Sequence, residues 1–225
     1  MKQLLSHIRI QVNSNIYLKD PETTELGKKL VSASIEMIDE MGFENFTFKK
    51  LATRIGSTEA SMYRYFVNKH KLLLYLTAWY WAWMEYKMEF AMANVPSPQK
   101  RLEKAMDLLT EQVVEDNRIL HIDEVKLHSV VLSESSKAYL TKEVDIENKE
   151  GAFLGYKRLV KRVSDLILEI NPDYKYPNML ISTLIEGVHH QRFFAQHLPR
   201  LTDTVEGEDS IQSFYCQLVT KLINK

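Results

Sequence analysis

Residues 47–66 decide the fold, and they read TFKKLATRIGSTEASMYRYF. Thr47 is suited to cap a helix, because its hydroxyl can accept a hydrogen bond from an orphan backbone amide. The apolar residues that follow recur at helical spacing: Phe48, Leu51, Ala52 and Ile55. Gly56 ends this helix, and Thr58 starts a second one with Glu59 in its first turn. The stretch therefore predicts two short helices that share one tight turn.

Longer helices are predicted on both sides of this stretch. Upstream, Asp20 is a capping residue, Pro21 suits the first helical position, and Gly42 ends the apolar periodicity. Downstream, Asn68 caps a run that continues to about Asn94 without a glycine or a proline. The central stretch is thus expected to lie within a three-helix unit that leads into one long helix.

The rest of the chain also reads as helical. Further helices are predicted over residues 99–115, 122–133, 152–170, 177–198 and 208–224. Residues 134–150 fit either a short helix or a loop, and the pattern does not choose between them. Residues 1–20 lack a helical stripe and alternate at Ile8, Ile10 and Val12, which predicts an N-terminal arm. The fold class is therefore all-α.

Composition narrows the possible functions. The 225 residues carry a formal net charge of −1, which gives no global reason for binding nucleic acid or an anionic membrane. The single cysteine, Cys216, excludes a disulfide framework. The sequence has neither a secretory signal pattern nor an apolar run long enough to cross a bilayer, so we expect a cytoplasmic protein without a membrane partner.

The charge is nevertheless concentrated locally. Between Asn45 and Lys71, six basic residues face a single acidic one, Glu59, so the local net charge is +5 with histidine neutral. A helix, a short turn with glycine and a second helix form the arrangement that places the second helix in a DNA major groove. Because phosphates are attracted to such a basic cluster, the stretch is a predicted DNA-binding site.

Three motifs carry a resemblance to a known family. They are GFENFT at residues 42–47, KLA at residues 50–52 and GSTEASMYRYFVNK at residues 56–69. Together they resemble the TetR family of bacterial transcriptional regulators over about residues 24–75. The resemblance implies an N-terminal three-helix helix-turn-helix domain, joined by a long helix to a larger helical domain for ligand binding and dimerisation. The implied organisation is an arm (1–20), a DNA-binding domain (21–70) and an effector-binding and dimerisation domain (71–225).

The resemblance also assigns roles to individual residues. Thr47, Tyr63, Tyr65 and Lys69 are expected to contact phosphates, which hydroxyls and ammonium groups do without reading sequence. Glu59, Ala60 and Ser61 are expected to face base edges, where a carboxylate can accept from cytosine and a methyl can contact thymine. The other predicted DNA-contacting residues are Lys49, Thr58 and Arg64. The implied partner is a double-stranded DNA operator.

An aromatic stripe runs along the long helix. Trp79, Trp83, Tyr86 and Phe90 recur at steps of four, three and four. Packing in the core is the ordinary meaning of such a stripe, but aromatic and methionine side chains also line cavities for apolar ligands. The candidate ligand-binding residues are Trp83, Tyr86, Met106, Phe153 and Tyr156.

The last two helices each carry an apolar face. One face includes Leu184, Val188 and Gln191, and the other includes Ile211, Phe214 and Leu218. These faces fit an intramolecular core, and they also fit the four-helix interface by which proteins of the resembled family form homodimers. A dimer is independently expected, because one recognition helix reads too few base pairs for specificity.

No catalytic or metal-binding pattern stands out. Glu186 and His189 lie one helical turn apart, but no second Glu-x-x-His motif occurs in the sequence, so a di-iron site is not expected. Cys216 has no adjacent base that would make it a nucleophile. We therefore expect no cofactor, no metal and no enzymatic activity.

The leading hypothesis is a dimeric repressor that a small apolar or aromatic effector releases from its operator. One alternative is an architectural or partner-controlled DNA-binding regulator without a small-molecule inducer. A helical-bundle enzyme is the third reading.

Overall fold

The computed structural model describes residues 10–114 and 121–223, and within these ranges it confirms the all-α fold class. The described residues contain no β-strand, only an isolated bridge between Val205 and Glu208. No helix among them is long and apolar enough to cross a membrane. In chain order the α-helices are α1 (Glu25–Asn45), α2 (Phe48–Ile55), α3 (Glu59–Tyr63), α4 (Lys69–Met92), α5 (Pro98–Thr110), α6 (Glu124–Glu134), α7 (Ser136–Tyr139), α8 (Val144–Lys149), α9 (Leu154–Ile170), α10 (Pro177–His197) and α11 (Ser210–Ile223).

The chain divides into two compact units. Unit 1 combines residues 1–83 with 113–155, and unit 2 combines residues 84–112 with 156–225. Residues 113–155, which the sequence assigns to the larger domain, thus group with the helix-turn-helix residues. The division into a DNA-binding and an effector-binding domain stays a prediction, because it concerns function.

Helix α1 begins later than the sequence predicts. The carboxylate of Asp20 caps a separate 3-10 turn, Pro21–Thr23, by accepting from the amide of Glu22 at 2.9 Å. The hydroxyl of Thr24 then caps α1 itself by accepting from the amide of Gly27 at 3.0 Å. This turn lies against the first turn of the helix, where a Cβ at Gly27 would be 2.2 Å from the carbonyl oxygen of Pro21. Glycine at this position allows the close approach.

Gly42 interrupts α1 without ending it. Its φ of +75° breaks the helical ladder, and the chain then makes a further turn to Asn45. The amide of Phe43 donates to a carboxylate oxygen of the buried Glu134 at 3.0 Å. A partner 91 residues away in sequence therefore accepts the hydrogen bond of an amide next to the break.

The undecided segment 134–150 is largely helical, since α7 and α8 lie within it. Its end contacts the described part of the N-terminal arm. The side-chain amide of Asn15 donates to the carbonyl of Glu150 at 3.1 Å, and Ile10 and Ile16 are buried. The predicted alternation begins at Ile8, which lies outside the described residues. Residues 10–20 show a 3-10 turn, Ser14–Ile16, rather than a strand.

Unit 2 is built around three packed helices, α5, α10 and α11. The guanidinium of Arg192 on α10 donates to the carbonyl of Thr110, which ends α5, and to the carboxylate of Asp209 at 2.6 Å. Asp209 in turn accepts from the amide of Gln212 at 3.0 Å, in the first turn of α11. One buried arginine thus joins the end of α5 to the start of α11.

Candidate nucleic-acid interface

The turn between α2 and α3 is closed by short-range hydrogen bonds. Gly56 adopts the left-handed conformation, with φ +67°, and its amide donates to the carbonyl of Ala52. The hydroxyl of Thr58 caps α3 by accepting from the amide of Ser61 at 3.3 Å, and it lies 2.9 Å from the hydroxyl of Ser61. These contacts confirm the two helices and the glycine turn that the sequence predicts.

A small aromatic and aliphatic core fixes α3 against α2. Phe48, Leu51, Met62 and Phe66 are all buried. The ring of Tyr63 packs edge-on against Phe48, with the ring centroids 5.1 Å apart. Because these side chains occupy the inner face of α3, its opposite face is available to solvent.

The solvent face of α3 carries the predicted base-reading residues. Glu59 and Ala60 are exposed and Ser61 is half-exposed. Tyr63 is 47% exposed, and its hydroxyl donates to the Glu59 carboxylate at 3.3 Å. The structure therefore places Glu59, Ala60 and Ser61 together at the exposed start of a helix, on a surface that a DNA duplex can approach.

Tyr65 is a predicted phosphate contact, and its side chain is buried. Its hydroxyl shares a 2.7 Å hydrogen bond with the hydroxyl of Thr24. Its carbonyl accepts from the amide of Leu18 at 2.7 Å. These contacts tie Tyr65 to the segment before α1, and this geometry does not favour the phosphate contact expected from the resemblance.

Lys69 is also engaged inside the protein. Its ammonium donates to the carbonyls of Phe43, Glu44 and Phe46 at 2.9, 3.1 and 3.3 Å, and it lies 4.6 Å from the centroid of the Phe43 ring. An ammonium has three donors, and all three are used here. Lys69 thus caps the carbonyl groups at the end of α1, and its expected role as a phosphate anchor is not supported by this geometry.

Lys69→Met is therefore expected to destabilise the protein by about 1–3 kcal/mol, because partly buried carbonyls lose their donor. Urea denaturation measures this change. Lys49→Met is the matched control on the exposed surface, where substitutions change stability by about 0.5 kcal/mol or less. Equal stability of the two variants would contradict the capping role of Lys69.

Acidic partners neutralise much of the basic cluster. The guanidinium of Arg54 donates to both carboxylate oxygens of Glu40, at 3.0 and 2.8 Å, and this hydrogen bonding holds the pKa of Glu40 below its usual value. The ammonium of Lys71 lies 3.3 Å from Glu147 and 3.0 Å from Glu150. Burial alone would lower the pKa of Lys71, but its hydrogen bonds to these two carboxylates raise it overall.

Three exposed cations of the cluster differ from Arg54 in having no acidic partner among the described residues. Lys49 and Arg64 are exposed and have no ion pair within residues 10–114 and 121–223, while Lys50 donates to the carbonyl of Asn45 at 2.8 Å. Thr47 is exposed and caps α2 by accepting from the amide of Lys50. Fewer cations are thus available for phosphate contacts than the local net charge of +5 indicates.

Sequence reasoning missed the buried carboxylate of Glu147. It accepts from Nε2 of His70 at 3.0 Å, in addition to pairing with Lys71, so it holds the first turn of α4. Glu147 is 77 residues away from His70 in sequence, and no local pattern pairs the two. The only indication in the sequence was that Glu147 lies within residues 134–150, whose secondary structure the pattern left open.

The predicted ligand-binding residues are distributed over both units. Trp83 is 1% exposed and stacks on Trp79, with the ring centroids 6.4 Å apart. Trp83 and Phe153 belong to unit 1, whereas Tyr86, Met106 and Tyr156 belong to unit 2. Met106 lines a cavity of about 370 Å³, and the other four residues are not among its lining.

The predicted dimer residues also separate by burial. Leu184, Val188 and Ile211 lie in the core of unit 2. Gln191 and Leu218 are half-buried, and Phe214 is 58% exposed. Only the second group is available at the surface of the chain.

The surroundings of Glu186 and Cys216 do not favour catalysis by either residue. Glu186 accepts from the hydroxyl of Tyr156 at 3.3 Å. Burial raises the pKa of the Cys216 thiol, which does not favour the thiolate that a nucleophile requires. Within the described ranges, no group of three or more His, Cys, Asp or Glu side chains is arranged to hold a metal ion.

Helices α1 to α3, with their glycine turn and exposed second helix, form a helix-turn-helix domain of the class that binds DNA. Residues 30–76 match the family model described as "Bacterial regulatory proteins, tetR family". The chain therefore carries a helix-turn-helix domain of the TetR type, as the motifs indicated.

Solved structures agree on the fold. The fatty acid degradation regulator FadR from Bacillus halodurans has a TM-score of 0.59 and 18% identity, covering 87% of this chain and 97% of its own. The ketosteroid transcriptional regulator KstR2 of Mycobacterium tuberculosis has a TM-score of 0.52 and 14% identity, covering 96% and 97%. The superantigen PfiT has a TM-score of 0.59 and 12% identity, covering 91% and 98%. No curated protein sequence matches the chain.

Proposed function

We propose that this protein is a homodimeric repressor that binds a specific operator and leaves it when a small apolar or aromatic effector binds the larger helical domain. The observation that carries the proposal is the solvent face of α3, where Glu59, Ala60 and Ser61 follow a glycine turn closed by hydrogen bonds. Short side chains at this place allow a close approach to base edges.

Each exposed residue of this surface has a proposed role. Glu59, Ala60 and Ser61 read bases, while Lys49 and Arg64 attract phosphates. Thr47, Thr58 and Tyr63 supply hydroxyls close to the backbone of the duplex. Tyr65 and Lys69 position the helices through the contacts described above, and they act on DNA only indirectly.

Effector control requires a difference in affinity between two arrangements of the dimer. In one arrangement both half-sites of the operator can be engaged, and in the other they cannot. A ligand that releases DNA must have the higher affinity for the second arrangement. Helix α4 follows α3 directly and runs from Lys69 to Met92, so it is the proposed covalent link between effector binding and DNA release.

The first experiment is selection of binding sites from genomic DNA with the purified protein. On the enriched operator, Lys49→Ala is expected to make the slope of log affinity against log salt shallower by about one unit, because one phosphate contact is lost. Ser61→Ala or Glu59→Ala is expected to change base preference instead. Electrophoretic mobility shifts at several salt concentrations measure both effects.

Lys175→Ala is the matched control, since it removes the same charge from an exposed residue in the loop before α10. It is expected to leave the salt slope unchanged. Failure of the wild type to enrich any sequence would contradict the proposed function. Sequence-specific binding that no compound releases would instead favour control by a partner protein.

A further inference from the structure

Unit 2 contains a cavity that the DNA-binding surface does not use. It has a volume of about 370 Å³ and lies between α5 and α11, with Ile170 at the end of α9 also in its lining. This cavity is open to solvent on one side, where Glu103 and Asp107 are exposed, and binding sites for small organic ligands begin at about 300 Å³. The size of this cavity therefore suits a small ligand.

The inner wall of the cavity is apolar. Leu102 and Met106 from α5 and Val219 and Ile223 from α11 line it, and each is at most 5% exposed. An alkyl or aromatic group in contact with this wall would be removed from water, and the flexible thioether of Met106 can adapt to its shape.

The polar edge of the cavity is negatively charged. Glu103 and Asp107 lie one helical turn apart on α5, and both line the cavity. One oxygen of Asp107 accepts from the side-chain amide of Gln212 at 3.0 Å. The described residues that line the cavity include no lysine, arginine or histidine. A ligand with a positive charge at this edge would be complementary to it.

The two helices around the cavity are held in place by Arg192. Its hydrogen bonds to the Thr110 carbonyl and to Asp209 join the end of α5 to the start of α11. Burial alone would raise the pKa of Asp209, but hydrogen bonds from Arg192 and from the backbone amide of Gln212 hold this pKa below its ordinary value, so Asp209 is a carboxylate at neutral pH. The cavity is thus framed before any ligand binds, which reduces the entropy lost on binding.

We propose that this cavity binds an amphipathic amine, with its apolar body against Leu102, Met106 and Val219 and its ammonium group between Glu103 and Asp107. Amine binding to this cavity does not depend on DNA binding. Its role as the effector site rests on the proposed function, and it refines the effector class from an apolar molecule to an apolar molecule with one cationic group.

Cys216 provides a local reporter. It is the one cysteine of the 225-residue sequence, it lines the cavity, and it is half-buried. Decylammonium is used below its micelle concentration. It is expected to slow maleimide labelling of Cys216 at least about tenfold, because the bound probe covers the thiol for most of the time. Decanoate is the probe of opposite charge and is expected to leave the labelling rate unchanged.

Two sets of variants test separately how the volume of the cavity and its negative charge contribute to binding. Val219→Trp fills the cavity and is expected to abolish decylammonium binding in calorimetry, whereas Lys221→Trp, at an exposed position on the same helix, leaves binding intact. Glu103→Gln combined with Asp107→Asn keeps the shape of the cavity and removes its charge. This double variant is expected to bind decylammonium at least about tenfold more weakly, a loss of about 1.4 kcal/mol.

Three results would overturn the proposal. Equal protection by decanoate would refute the cationic class, and absence of protection by either probe would refute the site. Protection that appears on raising the protein concentration alone would show that a second copy of the chain fills the cavity. Protection by decylammonium without release of operator DNA would leave the site standing and refute its role as the effector site.

Discussion

Phe214→Glu is expected to convert the protein to a monomer and to weaken operator binding on the order of 100-fold, because the second half-site no longer contributes. Phe214 is 58% exposed in the protomer. Leu218 and Leu222 follow it at one and two helical turns, and Leu222 is 47% exposed. This surface stripe on α11 is the part of the predicted dimer face that the protomer leaves uncovered. A glutamate placed there would bury an unpaired charge on association.

The measurements are light scattering at micromolar concentration and titration of operator DNA. Ser213→Glu adds the same charge at an exposed position beside the stripe and is expected to remain dimeric. Because Phe214 contributes little to the core, the variant is expected to melt close to the wild type as a folded protomer. A wild-type monomer that binds a single half-site with full affinity would contradict the dimer model.

Trp83→Ala is expected to lower the free energy of unfolding by about 3–5 kcal/mol, the usual effect of removing a large buried aromatic side chain. The indole is 1% exposed and packs against Trp79 and Tyr80, with ring centroids 6.4 and 5.9 Å away. For a chain of this length the expected fall in melting temperature is about 10 °C. Calorimetry or thermal circular dichroism measures it.

Phe90→Ala is the control for Trp83→Ala, because Phe90 lies on the same aromatic stripe but is 60% exposed. It is expected to change stability by about 0.5 kcal/mol or less. The milder Trp83→Phe is expected to lower the melting temperature without a selective loss of effector response. An unchanged melting temperature for Trp83→Ala, together with a lost effector response, would contradict the structural role of Trp83 and support a role in ligand binding.

Short-range patterns in the sequence were sufficient to predict the two short helices and the glycine turn of the helix-turn-helix. Thr47, Gly56, Thr58 and Asn68 act where the pattern places them, because capping and a left-handed glycine depend on groups within four residues. Helical periodicity likewise located most of the longer helices. Local hydrogen bonds and propensities were enough for these features.

Helix boundaries departed from prediction where a distant partner took part. Gly42 reads as an end of α1, yet the helix makes another turn, and the neighbouring amide of Phe43 donates to Glu134. The segment 134–150 stayed open for the same reason, since Glu147 and Glu150 reach α4 through contacts that no local window contains.

Tertiary structure alone decided which functional groups are available. Lys69 and Tyr65 belong to motifs that indicate phosphate contacts, but the folded chain engages both in internal hydrogen bonds. Arg54 faces carboxylates on α1, and of the six predicted dimer residues only Phe214 is largely exposed. The cavity beside Met106 likewise exists only once α5 and α11 pack together. The physical reason is that burial and ion pairing depend on groups far apart in sequence, whereas capping and helical periodicity depend on neighbours.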